Sequence, residues 1–546
     1  MSKFKSPLEA FLYWEKTTPS AVFLKQPVNG KHINFTYAEA GAEARKIASA
    51  LKLYQLDEGS HVAILSKNCA HWVMADLAIM ICGYISIPIY PTLNANSINL
   101  ILEHSESKAI VVGKLDDFNS QKEGLPGIPV ISVGLYGEST GDLWEDLLKK
   151  NEPLKDLHRQ NPDELHTIIY TSGTTGTPKG VMHTSGNLME SAHTLTEVFE
   201  LPNNLRLFSY LPLAHVAERL LINAGVVLGG EISFAESLDT FASDLESTQP
   251  HIFFAVPRIW TKFREKILES LSQNKLNILL KIPFLSTFLK NKLKKKLGLK
   301  EAYFVCSAAA PLASSLIEWF QTLDIHIMQG YGMTEDCCVS HFNTYRNNKI
   351  GTVGKTLYNV EAKLSAEGEI CIKNNCLMKG YFKAPEMTAS VFDTEGYLKT
   401  GDIGEFDHDG YLTITGRVKD QFKTDKGKYI SPSYMELILS KNTDIEQVCV
   451  VGSGIPQPIA LITLSESGSA KEKNRLIESL LFTVSGMNPT LESHEKIEKV
   501  VIMKEEWSVN NGLLTPTLKV KRNSIEKIHK PFYTEWFEMD ESVIFE

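Results

Sequence analysis

TIIYTSGTTGTPKGVMHT, Thr167 to Thr184, sets a short β-branched run ahead of a loop of hydroxyls and glycines that ends in one lysine. The first five residues have the texture of a buried strand. In the loop, glycines let backbone amides approach an anion, the hydroxyls of Thr171, Ser172, Thr174 and Thr175 are donors, and Lys179 adds charge. A Walker loop would need G-x-x-x-x-G-K-[ST]; here Gly173 and Gly176 are followed by Thr177, Pro178, Lys179 and Gly180, so the kinase-type loop is excluded. On physics alone, a phosphate grip of another type and a plain glycine-rich turn stay equally open.

Upstream, helical apolar spacing at Ala40, Ala44, Ile47 and Leu51 alternates with the short β-rich runs HVAIL (His61 to Leu65) and YISIPIY (Tyr84 to Tyr90). AIVVG, IFFAV and YFVCS continue the pattern with helical segments between several of them. The expected fold class is α/β, with helix-covered, mainly parallel sheets in a large N-terminal domain. After about Lys355 the texture turns to short strands and tight turns, in EGEICI, DTEGYLKTGD and DHDGYLTITGR, which predicts a small β-rich part over about 355–416. The polar run Gly416 to Pro432 is the best linker candidate. Beyond it YMELILS, EQVCVVG and IALITL suggest a compact α+β module. The division expected is 1–416, a hinge at 417–420 and a small mobile domain at 421–546.

The bulk numbers fit this plan. At 546 residues two or more domains are expected. An apolar fraction of 43% and a charged fraction of 22% are those of a soluble globular protein, and a net charge of -9 gives no global reason to bind nucleic acid. Eight scattered cysteines with no C-x-x-C pair encode neither a disulfide framework nor a zinc cluster, so a reducing cytoplasm fits best. The opening MSKFKSPLEAFLYWEKTTPS has too short an apolar run for a signal peptide. Trp72 to Tyr90 is hydrophobic, but Asp76, Gly83 and Pro88 break it, and it reads as a buried helix leading into a strand. In KIPFLSTFLKNKLKKKLGLK, Lys281 to Lys300, leucines and Phe288 share one helical face among lysines. This allows contact with an anionic membrane inner face, against the plainer reading of a solvated surface helix.

The full pattern [ST]-S-G-[ST]-T-G-x-P-K-G resembles the signature of the adenylate-forming superfamily, and LPLAHVAER, MQGYGMTE, YLKTGD, GRVKD and LTPTLKVKR follow in that family's order. Within it, FAESLDTFASDL, PHIFFAVPRIWTKF and FKTDKGKYISP look most like the long-chain fatty acyl-CoA synthetase branch. The resemblance implies ATP-dependent conversion of a carboxylate to acyl-AMP, with Mg²⁺, then transfer to coenzyme A. No general base is needed for the first step, because a carboxylate is already ionised at neutral pH. Positioning and charge neutralisation must do the catalysis.

The resemblance also implies roles. Thr171, Ser172, Gly173, Thr174, Thr175, Gly176 and Lys179 would hold the β- and γ-phosphates, Thr334 would touch the α-phosphate and Glu335 would hold Mg²⁺. Tyr331 would stack on adenine, while Asp402 and Arg417 would bond the ribose hydroxyls. Lys519 would bridge the substrate carboxylate and α-phosphate; the register with Arg522 selects it over Lys521. His215 would line the acyl pocket, Lys419 would be the hinge residue, and Ala308 stands where relatives often carry glycine. The expected partners are a fatty acid, ATP and CoA. The alternatives are an acyl carrier protein as acceptor, a non-catalytic lipid- or nucleotide-binding relative and, most distantly, a luciferase-like oxygenation.

Overall fold

A computed structural model describes residues 4–171, 179–515 and 517–546. The chain forms two compact units: Met1–Ala310 with Ser315–Glu361 and Ile372–Leu398, and Pro311–Ser314 with Ala362–Cys371 and Lys399–Glu546.

Among the described residues, the first unit contains an eight-stranded and a nine-stranded sheet. In the eight-stranded sheet Leu165–Thr171 lies between Ile85–Ile89, which it meets in parallel, and Lys179–Thr184, which it meets antiparallel with Thr171 opposite Lys179. Residues 172–178 therefore join the two arms of an antiparallel pair. The second arm was not foreseen, because KGVMHT opens on a lysine and a glycine and is too short to declare itself. Thr184 then ends the strand and caps helix Ser185–Val198, its hydroxyl accepting from Asn187 N–H while the Asn187 side chain returns to the Thr184 backbone.

In the nine-stranded sheet, strands Arg206–Ser209, Glu231–Phe234, Ile252–Ala255, Phe304–Ser307 and Met328–Tyr331 run parallel, with antiparallel strands at both edges. The parallel centre matches the apolar, β-branched runs read from the sequence; the edges make both sheets mixed. Helix Ala70–Ile81 is buried at every position and leads into Ile85–Ile89, as its sequence reads. Among the described residues no helix is long and apolar enough to cross a membrane.

The β-rich section forms a four-stranded sheet of Glu361–Leu364, Glu369–Lys373, Leu398–Phe406 and Leu412–Arg417. Residues 362–371 and 399–416 group with the C-terminal module, whereas the division read from the sequence placed them in the N-terminal domain. Ser431 explains part of this: its hydroxyl donates to the Thr415 carbonyl at 3.3 Å, seating the module against strand Leu412–Arg417.

The run Gly416 to Pro432 is also less of a linker than its polarity suggests. Phe422–Lys423 and Tyr429–Ile430 pair antiparallel around a turn in which Gly427 takes φ +75°, and Phe422 and Ile430 are buried. Two well-placed apolar residues suffice to fold a polar segment. Further on, the sheet of Ile445–Val451, Ile459–Leu464, Lys499–Ile502 and Val543–Phe545 shows strict alternation. Val450, Ala460, Ile462 and Val500 face one core, and Cys449, Val451, Leu461 and Val501 face another.

Candidate active site

In the first unit, strand Met328–Tyr331 delivers the MQGYGMTE segment to a tight turn. Gly330 has no room for a side chain, since a Cβ would lie 2.1 Å from the Phe342 ring on the neighbouring strand. Thr334–Asp336 then forms one 3-10 turn, closed by Cys337 and Cys338 at φ +54° and +60°. Asp336 holds it: Oδ1 accepts the amides of Met333 at 2.8 Å and Cys338 at 2.9 Å. The carboxyl is buried, and desolvation pushes it up to about 7.

His183, on the strand leaving the loop, ties this turn to the hairpin. Its Nε2–H donates to the Thr334 carbonyl at 2.7 Å, and the Cys337 thiol lies 3.3 Å from Nδ1. Burial pushes the imidazole down to about 4 and the thiol upward, so at neutral pH both are uncharged. A neutral ring with one N–H fits one acceptor and one donor.

Glu335 is fixed at both ends. Its carbonyl accepts Met378 N–H at 2.7 Å, and its Oε1 accepts the Tyr381 hydroxyl at 2.7 Å. Strand Gly380–Tyr381 pairs with Val181 and Met182, the continuation of the hairpin, so Tyr381 is carried by the same sheet as Lys179. The Lys179 ammonium lies 5.1 Å from the Tyr381 ring centroid. Desolvation, and then the Glu335 charge, drive the phenol well above its usual range, so it stays protonated as donor. Lys179, Tyr381 and Glu335 thus form one corner in which a cation and a carboxylate share a ring.

Of the residues singled out from the sequence, Lys179, Thr334 and Glu335 are brought together here. Thr171 ends its strand opposite Lys179, and Ser172, Gly173, Thr174, Thr175 and Gly176 lie outside the described residues. Tyr331 closes strand Met328–Tyr331, half-buried, with its ring 6.2 Å from that of His341. His215 caps helix Val216–Val227, its Nδ1 accepting Ala217 N–H at 3.2 Å. Ala308 is half-buried, and its neighbour Ala309 sits at φ +71°, a conformation that favours glycine.

In the second unit Asp402 and Arg417 face each other across paired strands, and Arg417 Nε donates to Asp402 Oδ1 at 2.6 Å. The aspartate is buried, the arginine exposed. Thr400 supports them, its hydroxyl donating to the Ile370 carbonyl and accepting from Asp402 N–H. Lys419 lies exposed in the 3-10 turn Val418–Asp420.

Lys519 is exposed on a narrow turn bounded by a Leu514–Val520 bridge. Its N–H donates to the Thr515 hydroxyl at 3.0 Å and its carbonyl accepts Thr515 N–H at 2.8 Å. Arg522, three residues on, is nearly buried; its guanidinium donates to the Val450 carbonyl and Glu436 Oε1 and lies 3.3 Å from Cys449 Sγ. Arg522 is therefore an anchor and Lys521 the residue before its helix, which separates their surroundings from those of Lys519.

The sequence reading missed Tyr381, His183 and Asp336. Tyr381 sits in KGYFKAPEMT, where an aromatic beside glycine reads as ordinary strand; only its pairing to the hairpin reveals it. Among the described residues no group of three or more His, Cys, Asp or Glu could hold a metal ion. A single carboxylate such as Glu335 suits a hard cation that keeps several waters and takes its other oxygens from phosphate, so Mg²⁺ fits here as a companion of a bound nucleotide.

Helix-covered mixed sheets followed by a small α+β module, with Lys179 and the Glu335 carboxylate on one tyrosine, are the arrangement of an adenylate-forming enzyme. The AMP-binding enzyme family profile matches residues 11–382 and the AMP-binding enzyme C-terminal domain matches 419–532. The chain belongs to the AMP-binding enzyme family. It is 27% identical to fatty acyl-CoA synthetase A of Dictyostelium discoideum over 90% of this chain and 84% of that protein. It is 28% identical to the long-chain-fatty-acid–CoA ligase FadD15 of Mycobacterium bovis over 94% and 93%. The adenylation domain of the carboxylate reductase from Mycobacterium chelonae superposes with a TM-score of 0.81 at 20% identity, covering 98% of this chain and 91% of that one.

Proposed function

We propose that this protein is an AMP-forming ligase that activates a medium- to long-chain fatty acid and transfers it to coenzyme A. The observation that carries the chemistry is the corner where Lys179 and Glu335 meet on Tyr381. The substrate class is supported by the two fatty acyl-CoA ligases that align along nearly the whole chain.

The carboxylate oxygen attacks the α-phosphorus of ATP, a new O–P bond forms, and the bond to pyrophosphate breaks. Lys179 and the loop Thr171–Gly176 grip the departing pyrophosphate, and Thr334 donates to the α-phosphate. Glu335, oriented by Tyr381, would hold Mg²⁺, which supplies charge neutralisation on the phosphates when bound. Tyr331 stacks on adenine, and the paired Asp402 and Arg417 bond the ribose. Lys519 brings its ammonium to the carboxylate and α-phosphate as charge shifts. In the second step the CoA thiol attacks the acyl carbon, the C–S bond forms, AMP leaves with the electron pair and the thiol proton is released. One site must exclude water around an acyl phosphate and later admit a long pantetheine, so we place a hinge at 417–420 with Lys419 as its pivot. His215 lies in the acyl-pocket wall. The eight scattered cysteines with no C-x-x-C pair support a reducing cytoplasm. Contact of residues 281–300 with a membrane inner face would give access to poorly soluble acids.

Carboxylate-dependent pyrophosphate exchange across a panel from acetate to oleate, with AMP release measured with and without CoA, tests this. Exchange that rises with chain length and AMP release accelerated by CoA are expected. No exchange with any aliphatic acid overturns the substrate class, and release indifferent to CoA selects a carrier-protein thiol as acceptor.

A further inference from the structure

Helices Gln273–Leu280 and Pro283–Lys296 form a hairpin whose base is held and whose tip is bare. At the base Trp319 Nε1 donates to Gln273 Oε1 at 2.8 Å, Gln249 Nε2 donates to the Lys295 carbonyl at 2.7 Å, and Lys294 pairs with Asp324. At the tip Phe284 is 92% exposed, Phe288 68%, Ile278 61%, Leu285 45% and Ile282 43%. Single exposed apolar residues are ordinary; five within residues 278–288 make a patch.

The charge around it is one-sided. Residues 271–300 carry eight lysines and neither aspartate nor glutamate, in a chain of net charge -9. On helix Pro283–Lys296, at 100° per residue, Phe284 and Phe288 share one exposed stripe with Lys292 and Lys295. The stripe passes from aromatic to cationic over about 12 Å, from Phe284 to Lys292. Interfacial helices sink about 5–10 Å into the headgroup and acyl boundary, so the aromatic end can enter to that depth while the lysine end stays at the surface.

We propose that this tip is a membrane-docking prong: residues 278–288 enter the outer acyl region of an anionic phospholipid bilayer, and Lys290, Lys292, Lys295 and Lys296 lie at the headgroup phosphates. Lys281 and Thr287 lie exposed in the same stretch, and Lys281, like the lysines behind it, keeps its ammonium in water beside an anion by running its stem along the apolar surface. The docking names the surface from which a fatty acid is drawn; that purpose rests on the fatty-acid reading, whereas the docking itself does not.

The test is flotation of the full-length protein, without substrates, on vesicles of phosphatidylcholine alone or with about one third phosphatidylglycerol. Flotation with the anionic vesicles only is expected, weakened at about 1 M salt, where the screening length falls to about 3 Å. Phe284→Glu/Phe288→Glu and Lys292→Glu/Lys295→Glu should each lower the bound fraction about tenfold or more. Adenylation of octanoate, a soluble acid, should be unchanged in both, which shows that they fold. Wild-type protein that stays in the soluble fraction, or a Phe284→Glu/Phe288→Glu variant that floats as well as wild type, overturns the proposal, as does binding to an acidic carrier protein in place of vesicles. Flotation without adenylation of any fatty acid would sustain the docking and sink the fatty-acid reading alone.

Discussion

The corner around Glu335 and the turn that presents Lys519 solve opposite problems. Glu335 is pinned by protein groups: Tyr381 holds its carboxylate, Met378 its carbonyl, His183 the carbonyl before it, and Asp336 the turn itself. Lys519 is exposed, and what holds it is backbone: the Thr515–Lys519 bonds and, behind them, the anchored Arg522. Oxygens that must meet a cation and phosphate gain from being fixed in advance. A long ammonium stem needs only its Cα delivered to the right place.

Removing the delivered charge should have the largest effect. Lys519→Ala is expected to lower acyl-AMP formation by about 10³-fold or more, about 4 kcal/mol, while thiolysis of supplied acyl-AMP is spared. Equal loss of both half-reactions would break the division between the two regions.

Within the pinned corner His183 should lose stability in acid, against an opposite contribution from Asp336, whose raised carboxyl favours the folded chain as pH falls below about 7. The folded His183 is held near pKa 4, below the ordinary 6.5, so the unfolded chain binds the extra proton. Its contribution to stability is complete above about pH 6.5 and is lost as pH falls toward 4, up to about 3 kcal/mol. Urea titrations at pH 7.5 and 4.5 should show a smaller acid loss in His183→Gln than in wild type. An unchanged acid loss would remove His183 from the account.

Tyr381→Phe keeps the ring beneath Lys179 but frees Glu335 Oε1. A fall in kcat of about 30-fold, with a raised Mg²⁺ requirement and little change in fatty-acid KM, is expected of a group that orients a metal carboxylate. A loss that excess Mg²⁺ does not relieve would assign Tyr381 to packing. Lys419→Pro, in the exposed turn before the module, should slow thiolysis about tenfold more than adenylation, read by stopped-flow AMP release. Least of all, Leu518→Gly should stabilise the second unit by about 0.5 kcal/mol, because Leu518 holds φ +60° beside Lys519; a calorimetric midpoint that falls would show the leucine contact outweighs the strain.

Much of this was legible in the chain. The runs HVAIL, YISIPIY, IFFAV and YFVCS became strands because continuous β-branched and aromatic residues have few other places to go. The hydroxyl loop, MQGYGMTE, YLKTGD and LTPTLKVKR were visible as motifs because their chemistry is local. The strand Lys179–Thr184 was not, since a lysine and glycine opening hides a hairpin arm whose pairing lies partly with Tyr381, about 200 residues away. The linker was overread because polarity was weighed over two apolar positions, Phe422 and Ile430.

Sequence by itself determined the fold class, the family and the identity of the charged groups, because glycine spacing, hydroxyl clusters and apolar runs are properties of neighbouring residues. Only the tertiary structure decided that Lys179 and Glu335 share the ring of Tyr381, that a neutral His183 locks the Thr334 turn, and that Arg522 is tied to Glu436 and Val450 while Lys519 is exposed. Those facts depend on which distant segments pair and on which side chains the packing strips of water, and neither quantity is carried by any one stretch of chain.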